Sequence, residues 1–246
     1  MSHQRTDSEY TVITCFTYES YWQKWQGFRN MGLVPPLLKN TPNLKFFKIL
    51  GSGSGNGFSK WPHWGQYFLL TVWTKLESAQ AFFDQNSASS AMQRVRKHRS
   101  TEWSLVLEPY QSFGQWTKVN PFSTDQHERN PSSTLVVLTR AQIKWSMLWR
   151  FWHDVPEISA SMSDFPDCLF AVGVGELPLI QQATFSLWRS EKAMKAFAYQ
   201  NHEHKDVVKR TRQLQWYSEE LFARFNLLEC WGELPQDLLS AIAVPA

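Results

Sequence analysis

The strongest constraint on this chain is internal: the C-terminal part of its 246 residues lays onto the N-terminal part in order. A shift of 123 matches Thr11 with Thr134, Trp22 with Trp145 and Phe28 with Phe151, and a shift of 122 matches Gly51 with Gly173 and Gly53 with Gly175. A shift of 115 then matches Trp73 with Trp188, Ala81 with Ala196, Phe82 with Phe197, Gln85 with Gln200, Asn86 with Asn201 and Trp116 with Trp231. The falling offset is one contracted loop, GSGSGNGFSKWPHWGQ against GVGELPLIQQ.

Each copy shows the same succession of patterns. The β-branched runs TVITCFTY and TLVVLTRAQI have strand length, and each is followed by an aromatic helical stretch, YWQKWQGFRNM or WSMLWRFWHDV. LKFFKILG and CLFAVGVGE are apolar runs stopped by glycine, and YFLLTVW and ATFSLW suit a pleated surface. LESAQAFF and EKAMKAFA read as helices that break at Gln-Asn and resume as SSAMQRVRKH and HKDVVKRTRQL, with Asn86 and Asn201 as expected N-caps. WSLVLEPY and ELFARFNL close the two units. The order β-α-β-β-α-β is the ferredoxin-like split unit, so the expected class is α+β: tandem ferredoxin-like repeats forming an intrachain dimeric αβ barrel. The expected boundaries are a tail 1–10, a first half 11–118, a linker 119–133, a second half 134–232 carrying the site, and a tail 233–246.

Composition removes several function classes. With 43% hydrophobic, 15% aromatic and 19% charged residues the chain is a globular polymer. A net charge of +3 is too mild for a nucleic-acid surface, so no nucleic-acid partner is expected. No run reaches the roughly 18 apolar residues of a spanning helix, and the first ten residues are polar, which predicts a cytoplasmic protein. Cys15, Cys168 and Cys230 lack C-x-x-C spacing, which argues against a disulfide framework or a structural zinc site.

A duplicated scaffold is its own control, because reactive residues stand out where the two copies differ. Two exchanges do so: Ser89 against His204, and Thr17 against Arg140. On a helix, His204 shares a face with Val207, Val208, Thr211 and Gln215, while Lys205, Lys209, Arg212 and Gln213 lie opposite, so its ring is expected to point inward. Such a histidine is either a hydrogen-bonded core residue or an axial ligand of haem iron, and spacing alone does not select haem. Arg140 follows Val136 and Leu138 at strand spacing. If that face lines the barrel, its guanidinium needs a partner: a haem propionate, an iron-bound oxygen species or a carboxylate such as Glu176; otherwise it ends the strand in water.

The other candidates are weaker. GSGSGNG at 51–57 lacks the phosphate-loop lysine and reads as a flexible turn. Phe58, Lys60, Trp61 and Trp64 form an aromatic, slightly basic loop that suits either barrel packing or a membrane interface. Glu219 and Glu220, adjacent on a strand, face opposite ways and make no acid/base dyad.

The segments LTRAQI, FWHDVPEIS, LFAVGVGELP, QATFSLW and WYSEELFARF, preceded by KILGSGSGNGF and WSLVLEPYQSFGQW, resemble the spheroidene monooxygenase family over about residues 11–232. The resemblance implies haem b as cofactor, molecular oxygen as oxidant, and electrons from reduced ferredoxin. The substrate it implies is an acyclic carotenoid, oxidised near its end first to an alcohol and then to a ketone, with peripheral contact to a membrane. It places the metal ligand on His204, the cofactor-binding residues on His204, Arg140, Thr211 and Trp216, and a catalytic role on Arg140. The chemistry agrees with the absence of triads, since an unactivated C–H bond offers nothing to an acid, base or nucleophile and requires a redox cofactor. A more basic, Gln-rich surface and an unmatched tail after Trp231 leave the exact carotenoid open. A haem peroxidase or haem-degrading protein, or a non-catalytic haem or small-ligand module, are the alternatives on such a fold.

Overall fold

The structure, a computed structural model, describes residues 9–55, 59, 61–125, 127–153, 165–177, 179–200 and 216–242. Eight antiparallel strands close into one barrel: β1 (Tyr10–Thr17), β2 (Leu44–Gly53), β3 (Pro62–Trp73), β4 (Thr101–Gly114), β5 (Leu135–Ile143), β6 (Cys168–Gly175), β7 (Gln181–Trp188) and β8 (Tyr217–Gly232). Their order round the barrel is β1-β3-β2-β6-β7-β5-β8-β4, so each copy contributes a four-stranded sheet and two seams join them. The expected tandem ferredoxin-like αβ barrel is the fold observed.

Alternation sorts the side chains between an inner and an outer layer. Ile13 and Cys15 of β1, Val136 and Leu138 of β5, and Leu221, Ala223 and Phe225 of β8 point inward and merge into one core shared by both copies. Val12 and Phe16 point outward, under the helices α1 (Tyr21–Leu33), α2 (Pro35–Leu38), α3 (Leu76–Phe83) and α4 (Ser90–Arg96). Strands buried on both faces explain why TVITCFT carries only apolar residues and threonines, with no charged residue on either face. In the second copy, α5 (Glu191–Gln200) packs Met194 and Phe197 over Leu135, Val137 and Trp188. The second-copy helix expected over WSMLWRFWHDV begins as a 3-10 turn, Trp145–Met147, and is helical through 153.

The repeat is legible in the rings. Trp73 meets Phe82 at 5.0 Å and its counterpart Trp188 meets Phe197 at 5.3 Å, at similar interplanar angles of 51° and 43°. Tyr10 lies opposite Trp73, and Leu135 opposite Trp188. The structural counterpart of Arg140 is therefore Cys15, not Thr17. The sequence shift slips by two residues, and an even slip leaves every side chain on its own face. Trp116 and Trp231 are not counterparts either: Trp116 follows β4, whereas Trp231 lies within β8 opposite Ser104.

Several local expectations need correction. Gly51–Gly53, read as part of a turn, continue β2, and Gly51 pairs with Gly175 to close the second seam. The residues read as a C-terminal tail include a helix, α6 (Gln236–Ile242), whose Leu238 enters the barrel core. Phe122 of the expected linker is also buried there, edge-on to Phe225 at 5.1 Å.

The cap of α4 is Ser89, whose hydroxyl accepts from the Met92 amide at 3.4 Å; Asn86 instead donates its own amide to Asp84. Ser89→Ala is expected to lower stability by about 1 kcal/mol, read as a fall in the urea midpoint with an unchanged slope. No fall would mean that solvent caps the helix equally well.

Candidate functional site

One end of the barrel is closed by charged side chains. Arg140, near the end of β5, points inward as its spacing with Val136 and Leu138 predicts, and only 2% of its side chain is exposed. The carboxylate that meets it is Glu219, at the start of β8, and not the expected Glu176. The β5·β8 ladder is the cause: it sets Gln142 opposite Glu219, two residues from Arg140 and on the same face. Arg140 Nη2 also donates to Gln142 Oε1 at 3.3 Å, and its guanidinium carbon lies 5.6 Å from the centroid of the Trp116 ring.

Glu219 has a second task. It accepts from the backbone amides of Thr117 at 3.0 Å and Lys118 at 2.7 Å. These residues have φ of 58° and 66°, and the turn that contains them closes through Trp116 N to Val119 O at 2.6 Å. Two consecutive left-handed residues without glycine are costly, and the carboxylate offsets that cost by bonding both amides. Burial works against the charge of Glu219, but the Lys118 and Thr117 amides and the Arg140 guanidinium outweigh it and hold its carboxyl below the usual carboxylate range.

Glu176 belongs to a neighbouring pair. It accepts the Trp116 indole N–H at 2.6 Å and the Lys48 ammonium at 2.5 Å, and Lys48 also donates to Thr117 Oγ1 at 2.8 Å. Trp116 thus sits between the two ion pairs, with its indole N–H bonded to one and its ring face near the cation of the other. Strand alternation separates Glu219 from Glu220 as expected, and the inward one of the two is the carboxylate that meets Arg140.

His204 and Thr211 lie outside the described residues. Trp216 is described: it is buried, its carbonyl accepts from Lys144 N at 2.9 Å at the same end as Arg140, and its indole nitrogen has no partner among the described residues. Arg140 Nε is likewise buried, with no partner among the described residues. Among the described residues no group of three or more His, Cys, Asp or Glu side chains is placed to hold a metal ion.

One more residue stands out only in the structure. Arg224, on the outer face of β8, donates to Glu191 Oε1 at 3.3 Å beside the Tyr110 hydroxyl, lies 5.1 Å over the Phe222 ring, and leaves its Nε buried with no partner among the described residues. With Gly114 and Gly232 matched across the long seam, its counterpart is Val106, which is fully buried among the helices of the first copy. The signal lay in the copies themselves, but only at the offset that the β4·β8 seam defines.

No family model matches the chain. The spheroidene monooxygenase of Rhodobacter capsulatus is 36% identical over 196 residues, which span 79% of this chain and 80% of that protein. The spheroidene monooxygenase of Cereibacter sphaeroides is 35% identical over 196 residues, 78% of this chain but 58% of the relative's own length. Among solved structures, an aldoxime dehydratase superposes with a TM-score of 0.63 over 93% of this chain and 84% of its own, at 8% identity, a likeness of fold alone. With identity of this order maintained across about four-fifths of its length, the chain belongs to the spheroidene monooxygenase family.

Proposed function

We propose that this chain is a haem-dependent monooxygenase that uses molecular oxygen and electrons from reduced ferredoxin to hydroxylate, and then ketolate, an acyclic carotenoid near its end. The observation that carries the reading is its 36% identity to a spheroidene monooxygenase across four-fifths of both chains. That relative's name supports a carotenoid substrate and a monooxygenase reaction; the position and rounds of oxidation belong to the proposal, as does peripheral contact with a membrane, which the low water solubility of a polyene favours.

The haem part of the reading has its own support. Among the described residues, two buried N–H donors at one barrel end, Trp216 Nε1 and Arg140 Nε, have no acceptor, and a buried donor left in this way calls for a water, an ion or a ligand group, of which an acid-bearing cofactor is one. In this reading His204 ligates the iron, and Arg140, Thr211 and Trp216 complete the cofactor site. Bound haem supplies the oxidant that an unactivated C–H bond requires. Arg140 keeps a fixed positive charge at a water-poor end of the core, Glu219 sets the orientation of that charge, and the packed interior excludes bulk water.

The test is spectroscopic first. Wild-type protein supplied with haem is expected to show a Soret band that His204→Ala loses, and with carotenoid, oxygen and reduced ferredoxin to yield hydroxylated and keto products. A missing Soret band in the wild type, or an undiminished one in the variant, overturns the haem assignment; product formation with peroxide alone would favour a peroxidase.

A further inference from the structure

α1 is built inside out. Its buried positions are Gln26, Gly27 and Asn30, with Gly27 so close to Tyr18 and Tyr67 that a β-carbon would sit 2.7–2.8 Å from their rings. Its outward positions are Tyr21, Trp22, Trp25 and Phe28, of which Trp22 is 61% exposed and Trp25 53%. A water-facing helix has the reverse pattern. The face continues onto the start of β3: Trp25 stacks on Phe28 at 5.9 Å, Phe28 meets Trp64 edge-on at 5.5 Å, and Trp61 near by is 69% exposed. A contiguous exposed aromatic surface of this kind marks an interaction site rather than ordinary surface scatter.

Charge identifies the partner. From Ser20 to Leu76 the sequence contains no Asp or Glu, while Lys24, Arg29, Lys39, Lys45, Lys48, Lys60 and Lys75 fall within it. The whole chain is only +3, so the remainder is net acidic and the basic charge is concentrated on this stretch. Lys45 and Lys48 are committed to Glu9 and Glu176, and Lys24 lies 5.9 Å from the Tyr21 ring within the aromatic face itself. Indole and phenol rings interleaved with lysine and arginine suit the headgroup layer of an anionic bilayer, where rings sit at the apolar boundary and cations meet phosphates.

We propose that the outer face of α1 and the start of β3, through Tyr21, Trp22, Trp25, Phe28, Trp61 and Trp64 with Lys24 and Arg29, is the docking surface of this protein for an anionic lipid bilayer. No described helix is long and apolar enough to cross a membrane, so the contact lies in the interface plane. The inference deepens the membrane contact of the proposed function, resting on that reading for its purpose but not for its test. The exposed Trp145 and Trp149 follow β5, which runs antiparallel to β1 through three antiparallel pairings, so they leave the barrel at the opposite end from α1. A flat membrane that meets one set does not meet the other.

The experiment is flotation of the full chain with carotenoid-free vesicles of phosphatidylcholine, with and without phosphatidylglycerol. The wild type is expected to float with the anionic vesicles and to be released by salt. W22S/W25S should abolish flotation, K24Q/R29Q should weaken partitioning by about fivefold per cation removed, and W145S/W149S should float like the wild type, all with unchanged thermal melting. A wild type that floats with neither vesicle overturns the proposal, as does equal loss in W145S/W149S. A concentration-dependent dimer that W22S/W25S dissociates would assign the face to a second copy instead and equally overturn it. Because no carotenoid or haem enters the assay, its failure leaves oxidation of detergent-dispersed carotenoid as a separate question.

Discussion

Glu219→Ala is expected to destabilise the protein by about 3 kcal/mol, the lower end of the cost of stripping one partner from a buried ion pair. Arg140 would be left 2% exposed with its carboxylate removed, and the amides of Thr117 and Lys118 would lose their acceptor in a turn of two left-handed residues. The substitution also changes how the protein answers acid. The folded carboxyl of Glu219 titrates below its unfolded value, so the stabilisation it provides is complete above the ordinary carboxylate pKa of about 4.3 and is lost as pH falls through the lower folded value. Urea unfolding at neutral pH and at successively lower pH reads both effects: the wild type loses stability on acidification, and the gap to the variant narrows. Replacing Arg140 and Glu219 together with leucine should recover much of the loss, since the penalty is mainly the orphaned charge. A loss below about 1 kcal/mol for Glu219→Ala would show that the pair behaves as a solvated surface bridge.

The second large effect lies at the seam between the copies. Gly114 and Gly232 have φ of 90° and 82°, and a β-carbon on either would strike a backbone carbonyl oxygen, that of Glu220 for Gly114 and that of Glu102 for Gly232. The contacts are reciprocal: the end of β4 meets the start of β8 as the end of β8 meets the start of β4, which is the signature of a two-fold interface folded into one chain. Gly114→Ala and Gly232→Ala are each expected to cost about 3 kcal/mol, combining left-handed backbone strain with a clash that no side-chain rotation relieves. Gly32→Ala, in a helix with open space at the β-carbon, should be neutral or slightly stabilising. Thermal or urea unfolding of the three variants decides the matter. A marked inequality between the seam variants would mean that the two ends of the seam are not equivalent.

How much of this was legible beforehand depended on the range of the interaction. Two-residue alternation in TVITCFT and LVVLTRAQI was enough to put Val136, Leu138 and Arg140 on one face, because that periodicity is a property of the extended backbone itself. Insensitivity to even slips is also why matching Arg140 to Thr17 rather than Cys15 did no harm to its inward placement. The same insensitivity hid Arg224: a comparison of copies finds an exchanged residue only at the correct offset, and the offset of the last strand is set by pairing at the seam. The cap of α4 is not legible in the sequence because Asn86 and Ser89 are both good caps, and the choice between them rests on where the sheet lets the helix begin.

What the amino-acid order determined alone is the duplicated β-α-β-β-α-β succession, the family, and the inner or outer face of each strand residue, since each depends on short-range spacing repeated in two copies. What only the tertiary structure decided is which carboxylate meets Arg140, that Gly51–Gly53 close a seam, that a C-terminal helix contributes Leu238 to the barrel core, and that α1 turns its aromatic rings outward. Each depends on barrel closure bringing residues together from far apart in the chain, and no local periodicity encodes the register at which that closure occurs.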